Sequence, residues 1–265
     1  MPELKPRVLG TSRESAPVNW ALHQTSSYLT GELFTGGYYR DCLNIAEGMA
    51  ASHRPGLEAI HAARKSTNVD VERLIAHLED VSRWAAAVRK EDYHTVNTHV
   101  FVTLWAAQEA GIENVLAAIL QTDRPAAEMA SAKFPATRFP MAAWPWPESA
   151  CLELAQRLES KAKDLTPGGG TDVAKRTSTL LSWFDLNVEL EAAKSRTYSE
   201  ASMVRNVILH RYGYLGPKEV EAFPELAEWL NAVLPITTLR LRSYHAAVLA
   251  MHLALAKAIW ASRYK

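Results

Sequence analysis

The sequence predicts an all-α protein, a helical bundle carrying one aromatic and proline-rich loop insertion. Three observations predict it. Apolar residues recur at three- and four-residue spacing through most of the 265 residues, which lines one face of a helix. No stretch of five or more residues alternates apolar and polar between hairpin turns, so no strand signal competes. Glycine and proline clusters fall between the periodic segments rather than inside them, as helix stops should.

Taken in order, residues 1–37 carry Pro, Ser, Thr and Gly without clear periodicity and end in Gly36-Gly37. They read as an extended N-terminal arm with at most a short turn at Trp20–Tyr28. Residues 38–265 then form a single domain. Tyr38 to Ser52 reads as a first helix stopped by Arg54-Pro55-Gly56, and Leu57 to Lys65 as a second. A third, capped by Asn68 or Asp70, carries Val71, Leu74, Leu78, Val81 and Val88 at helical spacing. The fourth, from about Thr95 to Leu120, holds the strongest apolar stripe: Phe101, Leu104, Trp105, Ile112, Val115, Leu116 and Ile119. Glu109 and Glu113 lie one turn apart on its polar side, where a half-buried carboxylate pairs with a base or caps a backbone group.

Residues 121–147 are the insertion. Phe134-Pro135, Phe139-Pro140, Trp144-Pro145 and Trp146-Pro147 alternate aromatic and proline, and each proline disfavours helix in the residue before it. This is a loop pinned by its aromatics onto the bundle, with a base-stacking or partner-binding loop as the alternative. A fifth helix opens at Glu148 or Ser149 and runs to about Asp164. After Thr166-Pro-Gly-Gly-Gly170, a sixth spans Thr171 to about Ser195. The seventh is capped at Thr197 or Ser199 and stops at Gly213. Pro217 to Val233 reads as an acidic amphipathic helix broken near Phe223-Pro224, and the last helix runs from Thr237 to about Ser262.

The formal net charge is zero and no run of like charges exists, which argues against a protein that coats long nucleic acid by charge alone. A local basic cleft stays open to it. Cys42 and Cys151 are the only cysteines, too few for a disulfide framework or a cysteine-rich zinc site. The first residues do not read as a signal peptide, and no apolar run reaches the roughly 20 residues of a spanning helix. The expectation is a cytoplasmic protein with no membrane partner.

Most possible sites have ordinary explanations. Glu58–His61 and Glu91–His94 have the spacing of di-iron ligands but sit at helix boundaries. His245 and His252 are core-edge histidines. Gly168-Gly-Gly170 lacks the lysine and preceding strand of a phosphate loop, and there is no Gly-x-Ser-x-Gly elbow. No metal or cofactor is expected.

One cluster resists this treatment. Met203-Val-Arg205-Asn206-Val-Ile-Leu-His210-Arg211-Tyr212 places several hydrogen-bonding groups on an otherwise apolar helix. At about 100° per residue, Asn206 and His210 share one line along the helix, and Arg205 and Tyr212 the next. Arginine offers planar, permanently charged donors to a phosphate, and histidine can move a proton near neutrality. An arginine that merely bonds a carboxylate, Glu109 or Glu113, is the competing reading.

The run Arg205-Asn206-Val-Ile-Leu-His210 resembles the Arg-x4-6-His motif of the HEPN superfamily, and with Tyr212 it is similar to the narrower Arg-x4-His-x-Tyr form. Trp105-Ala-Ala-Gln-Glu109 resembles the long central helix of that family. The resemblance implies an all-α bundle acting as a metal-independent endoribonuclease, in a toxin–antitoxin or phage-defence setting. It implies Arg205 and His210 as the catalytic pair and Asn206 as a positioning residue. Tyr212 and Arg211 would serve regulation or substrate positioning, with a purely structural Tyr212 as the alternative. One histidine per chain leaves one proton-transfer partner missing, so a homodimer with motifs facing each other is expected. RNA is the expected partner, with an antitoxin or regulatory protein beside it. The alternative function is a non-catalytic HEPN-like module that binds a nucleotide, RNA or protein.

Overall fold

A computed structural model describes residues 16–63, 70–135, 138–167 and 171–265. Among them it is all-α, with nine α-helices and two short 3-10 turns: α1 Pro17–Ala63, α2 Val71–Lys90, α3 His94–Thr122, α4 Arg124–Ser131, α5 Glu148–Leu165, α6 Val173–Ser182, α7 Ala192–Arg211, α8 Pro217–Ala222 and α9 Thr238–Ala261. The only β contacts among the described residues are two isolated bridges, Tyr214 to Val233 and Leu215 to Leu230.

The expected arm is corrected. Residues 17–37 are helical and run without interruption into residues 38–63, so α1 has 47 residues and is about 70 Å long. Residues 1–15 lie outside the described part. Gly36 does not end a segment, because it is where α1 touches α3. A Cβ on Gly36 would stand 2.8 Å from Val100 Cγ2, and one on Gly111 of α3 would run into Thr25. Close helix approach selects these glycines, and local propensity yields to it. Pro55 also fails as a stop and sits inside α1, in a stretch exposed to solvent on almost every residue.

The third helix begins where expected. Asp70 caps α2 by accepting from Arg73 N at 3.0 Å; Asn68 is not among the described residues. α2 and the second half of α1 form an antiparallel hairpin. Its apolar contact is small, Leu43 against Ala85 and Val88. Polar ties do the rest: Arg89 grips Glu47 with two bonds of 2.6 and 2.8 Å, and Arg54 meets Glu79 at 2.7 Å.

α3 is the central helix. Phe101, Leu104, Trp105, Val115, Leu116, Ile119 and Leu120 are essentially inaccessible to water, and α1, α5, α7 and α9 all pack on it. The insertion is pinned as expected. Phe139 and Trp146 are buried edge to face, and Trp144 Nε1 donates to Leu120 O at 2.9 Å. Burial takes those two rings out of reach of a base. The insertion also contains α4, which its sequence does not suggest.

Two further boundaries differ. The helix expected over 171–195 ends at Ser182, and Phe184, Leu186 and Val188 are buried in the non-helical link that follows. α7 therefore starts at Ala192, and Ser199 lies inside it rather than capping it. The Ser199 hydroxyl instead accepts from Ala174 N at 3.1 Å and ties α7 to the start of α6. The helix expected over 217–233 is α8 followed by a 3-10 turn at Pro224–Trp229, broken at Phe223 as expected.

α9 is capped by Thr237, which accepts from Arg240 N at 3.1 Å. By length and mean hydropathy, 1.2 over its most apolar stretch, it is the one described helix that could cross a bilayer. Here Leu241, Val248, Met251, Leu255 and Ile259 are buried in the bundle core with α3 and α7.

Candidate functional site

The motif helix is held firmly before it reaches its polar cluster. Tyr198 is buried against Trp105, ring centroids 4.8 Å apart, and Ala201, Val204 and Val207 bury the following turns. The helix ends at Arg211. Tyr212 takes a left-handed conformation at φ 54°, and the next N–H, that of Gly213, bonds back to Val207 O at 3.1 Å. That termination normally recruits glycine at the position Tyr212 holds. It also separates Tyr212 from the line expected to join it with Arg205, because Tyr212 is no longer on the helix. Its side chain is 89% exposed.

Asn206 and His210 do share a line, and both open into a cavity of about 390 Å³. Lys163 of α5, Arg176 of α6, Arg211 of α7 and Lys218 of α8 bring positive charge to the same cavity. Among the described residues one carboxylate lines it, Glu219, which binds Arg211 at 2.6 Å and accepts from Gly216 N at 2.9 Å. Burial pushes the Glu219 carboxyl up, but the Arg211 guanidinium and backbone donors outweigh it. The group stays charged below the usual carboxylate range. Arg176 reaches across to Glu159 at 3.0 Å. The imidazole of His210 makes no hydrogen bond to any described residue and is exposed.

Arg205 faces elsewhere. Its Nη2 meets Glu109 Oε2 at 2.5 Å and its Nη1 donates to Asn206 Oδ1 at 2.9 Å. Its Nε is buried with no partner among the described residues. Burial pushes the Glu109 carboxyl up, and the Arg205 guanidinium offsets only part of that. Glu109 is thus the supporting carboxylate. Glu113 is not, because it accepts from Gln156 Nε2 at 3.0 Å instead. Both line a narrow cleft with Glu159, Arg176 and Trp105 that adjoins the basic cavity through Arg176.

The structure therefore splits the expected catalytic pair. His210, Asn206 and Arg211 belong to the cavity, while Arg205 belongs to the ion pair beneath it. The three cations that the sequence did not mark, Lys163, Arg176 and Lys218, come from three other helices. Lys218 follows Pro217 at the start of α8, and its closeness to the motif in sequence was the only available signal.

His94, of the Glu91–His94 pair, and its neighbour Asp92 have a structural task. His94 Nδ1 accepts from Ile236 N at 2.9 Å, and Asp92 accepts from Thr238 N and Thr238 Oγ1 at 2.8 Å each. Together they fix the start of α9. Among the described residues no group of three His, Cys, Asp or Glu is placed to hold a metal ion.

In comparisons with known proteins the chain matches no family, no curated protein and no solved structure.

Proposed function

We propose that this protein binds the phosphate groups of RNA in the cavity bounded by α5, α6, α7 and α8, as a HEPN-like helical module. The observation that carries the reading is the convergence of Lys163, Arg176, Arg211 and Lys218 around His210 and Asn206 in a chain of zero net charge. Lysine is a point donor to phosphate, and arginine a planar one. Four cations against the one lining carboxylate, Glu219, leave the recess net positive, and a recess concentrates that field where a flat surface would not. Lys163 and Lys218 have no carboxylate partner among the described residues, while Arg176 and Arg211 would have to exchange Glu159 and Glu219 for phosphate, so the cluster meets two to four phosphates at most.

Anisotropy of a labelled single-stranded RNA tests this. Binding should weaken with salt at a log–log slope of about −1.4 to −2.8, for two to four phosphates on a single strand. Lys218→Ala and Lys163→Ala should each weaken binding and flatten that slope by about 0.7. A wild-type protein that leaves the RNA tumbling freely at low salt refutes the reading.

A second reading, metal-independent RNA cleavage, is favoured by His210. Its ring is exposed, free of internal hydrogen bonds and beside fixed cations. It could take the 2′-hydroxyl proton or protonate the 5′-oxygen, with cavity cations receiving charge on the phosphate. The products would be a 2′,3′-cyclic phosphate and a 5′-hydroxyl, and the second proton-transfer group would come from a second copy. Arg205 weighs against this reading, being already engaged by Glu109. Incubation with RNA in EDTA decides it: His210→Ala should abolish cutting, and an uncut substrate with wild type removes catalysis while leaving binding intact.

A further inference from the structure

α1 carries two seven-residue patterns on opposite sides. On the inner side Leu22, Leu29, Gly36 and Leu43 recur every seven residues and are buried. On the outer side Tyr28, Gly31, Thr35, Tyr38, Cys42 and Ile45 follow alternating steps of three and four, and all are exposed. Steps of three and four over three turns of the repeat are the pattern of a coiled-coil seam. Phe34 and Tyr39 flank that seam at the positions where neighbouring side chains close over it.

The five large apolar side chains here are between 58 and 70% exposed: Tyr28, Phe34, Tyr38, Tyr39 and Ile45. Scattered exposed apolar residues need no explanation, but a contiguous patch of several hundred Å² does. Gly31 adds to the pattern, since nothing lies within 4 Å of where its Cβ would be. A small residue in the middle of a seam lets a second helix approach closely and seat aromatic knobs beside it.

We propose that α1 joins two copies of this chain through this outer seam. The area is adequate for a self-association. Covering these five side chains removes about 600–700 Å² from each copy, hence on the order of 1,200–1,400 Å² in all, within the range of stable interfaces. The occupant is a second α1 because the seam has the repeat of a partner helix, and this chain supplies that repeat itself. The interface differs from the one expected through the motif helix, and it does not rest on the RNA reading.

Light scattering and sedimentation equilibrium of the full chain test it. Wild type should be dimeric, and the double substitution Tyr38→Glu, Ile45→Glu should raise the dimer dissociation constant on the order of 100-fold or more. Helix content should be unchanged, because both side chains face water in the single copy, whereas the thermal midpoint should fall and lose its dependence on protein concentration as the dimer is lost. Leu209→Glu, on the exposed side of α7, is the control and should leave the dimer intact. A monomeric wild type overturns the proposal. So does a dimer that Leu209→Glu dissociates and the α1 substitutions do not.

Discussion

Arg205 shows how one contact changes the meaning of a residue. A guanidinium with a free fork can take a phosphate, whereas one bonded to Glu109 and Asn206 is occupied. Glu109 is two-thirds covered, so removing its partner leaves a poorly solvated charge. Arg205→Ala should therefore destabilise the protein by about 1–2 kcal/mol, less than for a fully buried pair because water still reaches both groups. Glu109→Gln should cost less than that, since burial already disfavours its charged form. Urea unfolding of the two variants checks both, and any loss of RNA binding in Arg205→Ala has to be read beside its stability.

His94 works the other way, as a neutral acceptor. Burial holds its imidazole below the usual histidine value. The unfolded chain then takes up a proton more readily as pH falls past about 6.5, so the ring's contribution is complete above that value. It is lost as pH falls through the lower native one. Wild type should lose urea resistance between about pH 7.5 and pH 5.5. His94→Ala should be weaker by about 1–3 kcal/mol at the upper pH, through the orphaned Ile236 N–H, and should show a shallower pH slope.

At the scale of elements, the crossing of α1 and α3 governs the fold. Thr25 packs against Gly111 and Val100 against Gly36, so the two longest helices touch backbone to side chain. Gly111→Ala adds helix propensity but drives a methyl into Thr25. Overpacking should win, with a net loss of about 1–3 kcal/mol. Thr25→Ala in the same chain removes the Oγ1 and Cγ2 that the methyl meets first, and should recover part of the loss in a thermal melt. Glycine is a poor helix former in isolation, so the Gly36-Gly37 pair by itself predicts a break. Its role became visible only when α3 stood opposite.

At the scale of the whole molecule, stability is distributed unevenly. Core residues cluster on α3, α5, α7 and α9, while among the described residues the hairpin of α2 with the end of α1 has four buried apolar side chains, Leu43, Val71, Ala85 and Val88, and a set of exposed ion pairs. Exposed pairs contribute little each. Amide exchange should therefore be fast across residues 50–63 and 71–85 and slowest in α3 and α9, and protection in the hairpin equal to that of α3 would contradict this account.

The sequence by itself determined the helical class, most helix starts and stops, the dominant stripe of α3, the pinned insertion, and the cluster around His210. Those follow from rules acting within a few residues: the Asp70 and Thr237 caps, the Phe223-Pro224 break, and the spacing of apolar side chains. Tertiary structure alone decided that Gly36 lies inside a 47-residue helix, that Arg205 turns to Glu109, and that Lys163, Arg176 and Lys218 meet at His210. The reason is physical. Periodicity states which face of a helix must be covered, but not which side chains another helix will set across from it.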